Sequence, residues 1–431
     1  MENQNLVPFR FAIHTGPAPR SSALWAATLL LISSAANAAT LCVNPTGSGG
    51  CSTTINAAVA LALAGDTIKV AKGTYAEDVV ISKTLSLIGA NQKTTIIDAT
   101  GLATGIHIDG LDNPGMVDGS LVSGFTVKNA KFEGILITNA SSVTVTGNLL
   151  TDNDQALSPP NCPGIPPFET NEGFDCGEAI HLLGADHAIV SNNLVEKNAG
   201  GILISDDTAA AHDNLVEGNT VRNNPFDCGI TLASHLPATG TTPFGVMHNT
   251  IVDNLSTANG LAITGEGAGV GIFDSVPGTT NSGNVVINNT LTRNGLPGVA
   301  MHSHTTGQLL NDNLILDNTI SGNGPDISNG STVPAGINIS GVSDATGTVI
   351  AGNVIKDESA DVVVNTAARV DVHLNNLMSK GVGVANNNIA TTDAIDNFWG
   401  CAKGPTTKGC STASATGGGA VLTTPFATKR F

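Results

Sequence analysis

Aromatic residues make up only 3% of this 431-residue chain, with 2 Trp and 1 Tyr. That count excludes a core of large rings and a surface where many Trp and Tyr stack on a ligand. Basic side chains are also scarce, 18 against 35 acidic ones, for a formal charge of -17. Binding a phosphate backbone takes clustered Lys and Arg, so nucleic acid is not an expected partner. Only 12% of residues are charged, yet 41% are hydrophobic, which is too apolar for disorder. In excess are Gly, at 50, and Asn, at 42. Short strands joined by tight turns use both, whereas a helical bundle tolerates neither in such numbers.

No apolar run reaches the roughly 20 residues that cross a bilayer as a helix. Residues 23–36 are the nearest approach; they follow Arg10 and Arg20 and end at the small-residue site Ala36-Asn37-Ala38. Residues 1–38 therefore read as a secretory signal peptide, which predicts a secreted or periplasmic product with no membrane span after cleavage. Seven cysteines fit that destination. Cys42 and Cys51 flank one Gly-rich loop and Cys401 and Cys410 another, so each pair is expected to form a local disulfide. Cys162 is expected to pair with Cys176 across a Pro-rich insert, residues 158–176, which leaves Cys228 free. None has the CxxC spacing of a zinc site.

From residue 148 one phrase recurs: Asn148-Leu-Leu, Asn193-Leu-Val, Asn219-Thr-Val, Asn249-Thr-Ile, Asn289-Thr-Leu, Asn318-Thr-Ile, Asn353-Val-Ile and Asn376-Leu-Met. The spacings are 45, 26, 30, 40, 29, 35 and 23 residues, and six members have a second Asn five positions on, among them Asn254. Asn tolerates the left-handed backbone of a sharp turn, and its amide can bond an Asn stacked above it. Each pair should bracket a short strand. A second strand of the form Gly-Ile-x-Ile usually follows, as at residues 134–137, 201–204 and 336–339, with its first and third apolar residues inward. Units this short must stack to share a core. The minimum near 23 residues is one coil, and the longer spacings carry loops inserted on the outside.

This pattern resembles the right-handed parallel β-helix, the pectin-lyase-like architecture, and in particular its secreted repeat proteins with Asn-rich coils. Copper-delivery accessory proteins of nitrous oxide reductase belong to the same broad group. Residues 55–75 look like that group's capping helix and first coil, and residues 396–405 (DNFWGCAKGP) resemble its closing motif. The resemblance implies an all-β fold, a single solenoid of roughly a dozen coils. Residues 39–75 would form the N-terminal disulfide loop, helix and first coil, residues 76–395 the repeats, and residues 396–431 the C-terminal cap.

Aligning the Gly-Ile-x-Ile strands places a column of acids and imidazoles just after them. Asp206 and Asp207, His235, and His302 and His304 are the candidate catalytic groups. His181, Asp206, Ser234, His235, Glu266 and Asn338 are the candidate saccharide-binding groups, with Asp274 as the alternative to Glu266. Such a column could serve acid-base chemistry or hold a hard cation such as calcium, the one cofactor this reading suggests; no metal ligand set is defined. Asp206 and Asp207, adjacent in sequence, should point in different directions.

Signatures of better-known enzymes with this resemblance are incomplete. Of the polygalacturonase motifs only Asp206-Asp207 is present. The epimerase motif Asp-Pro-His-Asp has only a weak echo at His212-Asp213, and Arg222 and Arg293, the bases a lyase would need, fall on turns. Met301-His302-Ser303-His304 and Met247-His248 offer soft copper ligands, although Met301 should face the core. The expectation is an exported, monomeric β-helix that contacts polysaccharide along an outer strand face. The alternatives are a polysaccharide lyase or glycoside hydrolase using the Asp/His column, and a periplasmic copper-binding or delivery protein.

Overall fold

The computed structural model describes residues 38–157, 162–169, 178–237, 240–263, 266–341 and 344–431. The expected signal peptide and Cys176 lie outside them, so the Cys162 pairing is not described; Cys162 itself is buried against Phe132. Cys42–Cys51 and Cys401–Cys410 are disulfides, and Cys228 is free and buried.

Residues 38–431 form a parallel β-helix. Its strands are joined side by side into a 14-stranded, a 12-stranded and an 11-stranded sheet, with a small three-stranded sheet at one corner. The 12-stranded sheet carries the Gly-Ile-x-Ile strands in register: Ile135 pairs with Ile180, then Ile202, Ile230, Val270, Val299, Ile337 and Val362. These residues and those two positions on are fully buried in one continuous core, Met301 among them. Inner columns of the other two large sheets, such as Val122, Val145 and Val190, or Leu150, Val195 and Val221, complete it. Aliphatic side chains fill such coils, which accounts for the scarcity of rings.

Three Asn ladders hold the corners. One runs Asn148, Asn193, Asn219, Asn254, Asn289, Asn318, Asn353, Asn375 and Asn397, each side-chain oxygen accepting from the backbone N–H and the side-chain amide of the residue before it. A second joins Asn153, Asn198, Asn224, Asn259, Asn294 and Asn323, and a third Asn214, Asn249, Asn284 and Asn313. The Asn stacking expected from sequence is therefore present, but its phase is corrected at three places. Asn249 belongs to the third ladder and Asn254 to the first, so the 30- and 40-residue spacings become two of 35. Up to three Asn stand five apart in one coil, and the same phrase fits more than one corner. In the last phrase the ladder residue is Asn375, which donates on to Asn397, and Asn376 pairs instead with Val354 in the strand. Nor do the ladder Asn take the left-handed backbone. That falls one residue earlier, at Gly147 (φ 66°), Asn192 (φ 54°), Gly218 (φ 62°) and Asp253 (φ 57°), which turns the next Asn side chain inward.

Both ends are covered, as a solenoid with open strand edges requires. The helix Ile55–Leu61 starts at Thr54, whose hydroxyl accepts from Ala57 N–H, and the Glu77 carboxylate accepts from Ile55 N–H (2.7 Å) and Asn56 N–H (2.9 Å). Lys83 Nζ closes the other end on the Val59 and Ala62 carbonyls, both at 3.1 Å. At the C-terminal end Trp399 is fully buried in the core. Among the described residues no helix is long and apolar enough to cross a membrane.

Candidate functional site on the outer face of the 12-stranded sheet

Residues that alternate with the inner Ile column point outward, yet most are not solvated. Leu136, His181, Leu203 and Thr231 are between 1% and 4% exposed. Inserted loops cover them: Phe168 of the Pro-rich insert stacks on His107 at 6.5 Å, and Phe132 packs with Cys162 and Ile165. Cys228 belongs to a similar cluster with Ala268, Leu296, Ala300 and Phe273. Burial pushes its thiol well above the usual range. Ala268 N–H donates to its sulfur at 3.1 Å. This packing gives Cys228 a structural place, and we expect it to resist a thiol reagent in the folded protein and to react stoichiometrically after unfolding in urea. Rapid labelling of the native protein would contradict this.

The expected column divides into two groups. In the first, Asp206 accepts from the Ser234 hydroxyl (2.9 Å), His235 N–H (2.7 Å), Phe244 N–H (3.1 Å) and Gly245 N–H. Asp207 accepts from the Ser205 hydroxyl at 2.7 Å and lies 3.1 Å from His235 Nδ1. Both carboxylates reach His235, Asp206 at its backbone N–H and Asp207 at its ring. All of these side chains are almost fully buried. They fasten the loop after residue 235 to the sheet and do not face solvent. Burial raises the Asp206 pKa against those hydrogen bonds. Asp274, paired in register with Ser234, is also buried, and desolvation followed by the Asp206 charge pushes it up to about 8.

The place assigned to Glu266 is corrected here. The strand in register is Val270–Asp274, so Asp274 occupies the column, while Glu266 lies on the loop entering that strand. The apolar phrase at residues 260–263, which suggested the alignment, lies outside the strands. Glu266 is nevertheless part of the second group. This centres on His302, whose Nδ1 lies 3.4 Å from Asp326 Oδ2 without hydrogen-bond alignment. Asn338 Nδ2 donates to the same oxygen at 3.0 Å. Phe273 stacks on His302 with ring centres 4.3 Å apart, and His304 lies 4.7 Å away at a tilt. Asp326 is buried, which alone would raise its pKa, but the His302 contact and the Asn329 and Asn338 amides bring it below the usual carboxylate range. Glu266 goes the other way, to about 7, through burial and the charges of Asp227 and Asp326. His304 is exposed and Phe273 and Glu266 are half-buried, so this group opens to solvent where the first does not.

Arg222, expected on a turn, instead ends the strand Thr220–Arg222 of the 11-stranded sheet and pairs with Glu196 at 2.7 Å, while Arg293 takes the left-handed turn position after the strand Thr290–Thr292 of the same sheet; neither belongs to the two groups. Met301 lies inside the core, where its sulfur accepts from Asn313 Nδ2 at 3.5 Å, so it cannot join His302 around a soft metal. Sequence reading missed Phe273, Asp326 and Glu133. Phe273 was detectable as a large ring at an outward strand position; Asp326 stands in a loop with no periodic context, and Glu133, although it directly precedes the phrase at residues 134–137, lies on the loop before that strand.

Residues 87–275 match the family described as Right handed beta helix region. The fold is that of a right-handed parallel β-helix solenoid. Among solved structures it is similar to an alginate lyase from Paenibacillus sp. str. FPU-7, with 16% identity over 74% of this chain and 95% of that one and a TM-score of 0.50. It is also similar to the Dettilon tailspike protein, with 12% identity over 81% of this chain and 62% of that one and a TM-score of 0.52. At these identities the likeness is one of fold. No curated protein matches the chain by sequence.

Proposed function

We propose that this is an exported protein that binds polysaccharide on the outer face of its 12-stranded sheet, with Phe273, His302, His304 and Glu266 as the contact group. The observation that carries this reading is the Phe273–His302–His304 ring cluster, which reaches solvent on a face where Leu136, His181, Leu203 and Thr231 are buried. Rings offer flat apolar surface to a sugar, and Asp326 and Asn338 hold the central one in place. Support comes from a fold shared with an alginate lyase, and export rests on the signal-like residues 1–38. A strongly acidic chain, with formal charge -17 before residues 1–38 are removed, repels acidic polymers, so the substrate class is a neutral glycan, or an acidic one bridged by calcium.

A catalytic reading is favoured by one observation: two neighbouring carboxyl groups have their acidities driven apart, Glu266 up to about 7 and Asp326 down. That is the arrangement of a proton donor beside a His–Asp acceptor. Incubation with neutral and acidic polysaccharides, with and without calcium, separates the readings. Binding without new reducing ends or unsaturated products supports a binding protein, turnover abolished by Glu266→Gln supports the enzyme, and the absence of both binding and turnover removes the proposal.

A further inference from the structure

We propose that Glu133, Glu169 and His181 form a binding site for one first-row divalent metal ion, such as Zn2+, under the Pro-rich insert. One ligand atom from each of the three side chains lies within 4.8 Å of the others, and all three residues are buried. Glu133 is 0% exposed, and neither of its carboxylate oxygens has a hydrogen-bond partner. His181 Nδ1 faces it at 3.9 Å and likewise has no hydrogen bond. Leaving a carboxylate uncompensated in a protein interior is strongly unfavourable, so a positive charge belongs between these groups.

The hydrogen bonds behind His181 specify which form of the ring is present. Asp207 accepts the Ser205 hydroxyl proton at 2.7 Å and also contacts His235 Nδ1. With its proton committed to Asp207, the Ser205 oxygen can only accept, and its partner is His181 Nε2 at 2.8 Å. His181 Nε2 therefore carries the hydrogen. In the neutral ring Nδ1 then presents a bare lone pair toward Glu133. Carboxylate, hydroxyl and imidazole in sequence are the outer-shell arrangement that orients metal-ligating histidines. Two ligand bonds of about 2.1 Å span up to roughly 4.2 Å, so the 3.9 Å separation accommodates a shared ion. One nitrogen with carboxylate oxygens suits zinc or manganese, whereas calcium takes oxygen ligands throughout.

Among the described residues two other clusters could hold an ion, but their groups are already engaged. Asp186 lies 2.6 Å from His187 beside His212 and Asp213, and Arg369 contacts both Asp371 and Asp393. The proposed site also differs in what it joins. Glu169 comes from the insert, Glu133 from the loop before the strand Ile135–Thr138, and His181 from the strand Ile180–Leu183. An ion there pins the insert over the sheet, four strands and about 19 Å from the Phe273–His302 group by ordinary strand spacing.

The test uses the whole exported protein, stripped with EDTA and titrated separately with Zn2+, Co2+ and Ca2+ by calorimetry. The expected result is one equivalent of Zn2+ or Co2+ bound, visible d–d absorption from the Co2+ form, and an upward shift of the melting midpoint. Glu133→Gln and His181→Gln should each weaken binding at least 100-fold, and the double variant His187→Ala/His212→Ala should retain it. Absence of Zn2+ and Co2+ binding, binding of Ca2+ alone, or loss of binding in the His187/His212 variant would each overturn the proposal. If the Glu133 and His181 variants do not fold, the stoichiometry, the Co2+ spectrum and the His187/His212 variant still decide it.

Discussion

Asn254→Ala is expected to destabilise the protein by about 3–5 kcal/mol, measured as a lower urea midpoint. Asn254 Oδ1 accepts from Asn219 N–H (2.9 Å) and Asn219 Nδ2 (3.0 Å). Its own amide donates to the Val216 and Val252 carbonyls, both at 2.9 Å, and to Asn289 Oδ1 at 3.0 Å. Truncation strands at least two of these groups at a corner that is 1% exposed. Each unsatisfied buried group costs about 1–3 kcal/mol, and the lost side chain leaves space that water cannot fill well. Because a solenoid's stability is nearly a sum over coils and their interfaces, the damage should be local, with faster hydrogen exchange at the corners of Asn219 and Asn289 before the ends are affected. Asn192, one residue before its ladder position and exposed in the left-handed region, is the comparison. Asn192→Gly should change stability by less than about 1 kcal/mol, since Gly adopts that backbone freely. Equal effects of the two substitutions would mean that the ladder is not what holds the coils.

Stability should also fall as pH rises from 5 to 8.5, with a drop in melting temperature on the order of 5–10 °C. Asp274 and Asp361 are 0% exposed and pushed up to about 8, and Glu358 is raised to about 7. Burial is the main cause in all three, opposed at Asp361 by the Ser379 hydroxyl and at Glu358 by Asn323, whose backbone and amide donors end the second Asn ladder on that carboxyl. Between pH 4 and 8 the folded state keeps protons that the unfolded chain has released. Their contribution is complete below the unfolded pKa near 4 and is lost as pH passes the folded values. Below pH 4 the trend reverses, because Asp98, lowered to about 2 by its Thr100, Asn129 and Lys128 contacts against the effect of burial, loses its own contribution there. A maximum near pH 4 follows. Asp274→Asn combined with Asp361→Asn should flatten the alkaline limb; an unchanged slope would show that these acids are ionised in the folded protein.

The fold was legible because its periodicities are physical necessities. Inward Ile and Val at alternate positions and Asn at corners are written along the chain, and the caps are marked by residues 55–75 and by the closing motif at residues 396–405; the capping contacts of Glu77 and Lys83 were not read from sequence. Phase was harder. Asn249 and Asn254 each satisfy the same local phrase, and only the neighbouring coil decides which ladder each joins. The candidate site was legible in part. His302 and Asn338 could be placed from strand register, but whether an outward residue meets water depends on loops inserted elsewhere in the sequence. Hence Asp206, Asp207, Ser234 and His235, all polar strand-end residues, were expected at a surface and lie beneath a loop. Glu133 and Glu169 are 36 residues apart, and only the fold of the insert brings them together.

The central claim is that the open ring cluster on the 12-stranded sheet is where this protein meets polysaccharide. It is tested most directly by measuring the affinity of the wild type for a polysaccharide panel and repeating the measurement on Phe273→Ala/His302→Ala, with Arg222→Ala on the 11-stranded sheet as the control. The account predicts that binding to a glycan found in the panel weakens at least 10-fold in the double variant while the control keeps wild-type affinity. Binding that survives in the double variant, or that is lost in the Arg222 control instead, would contradict it.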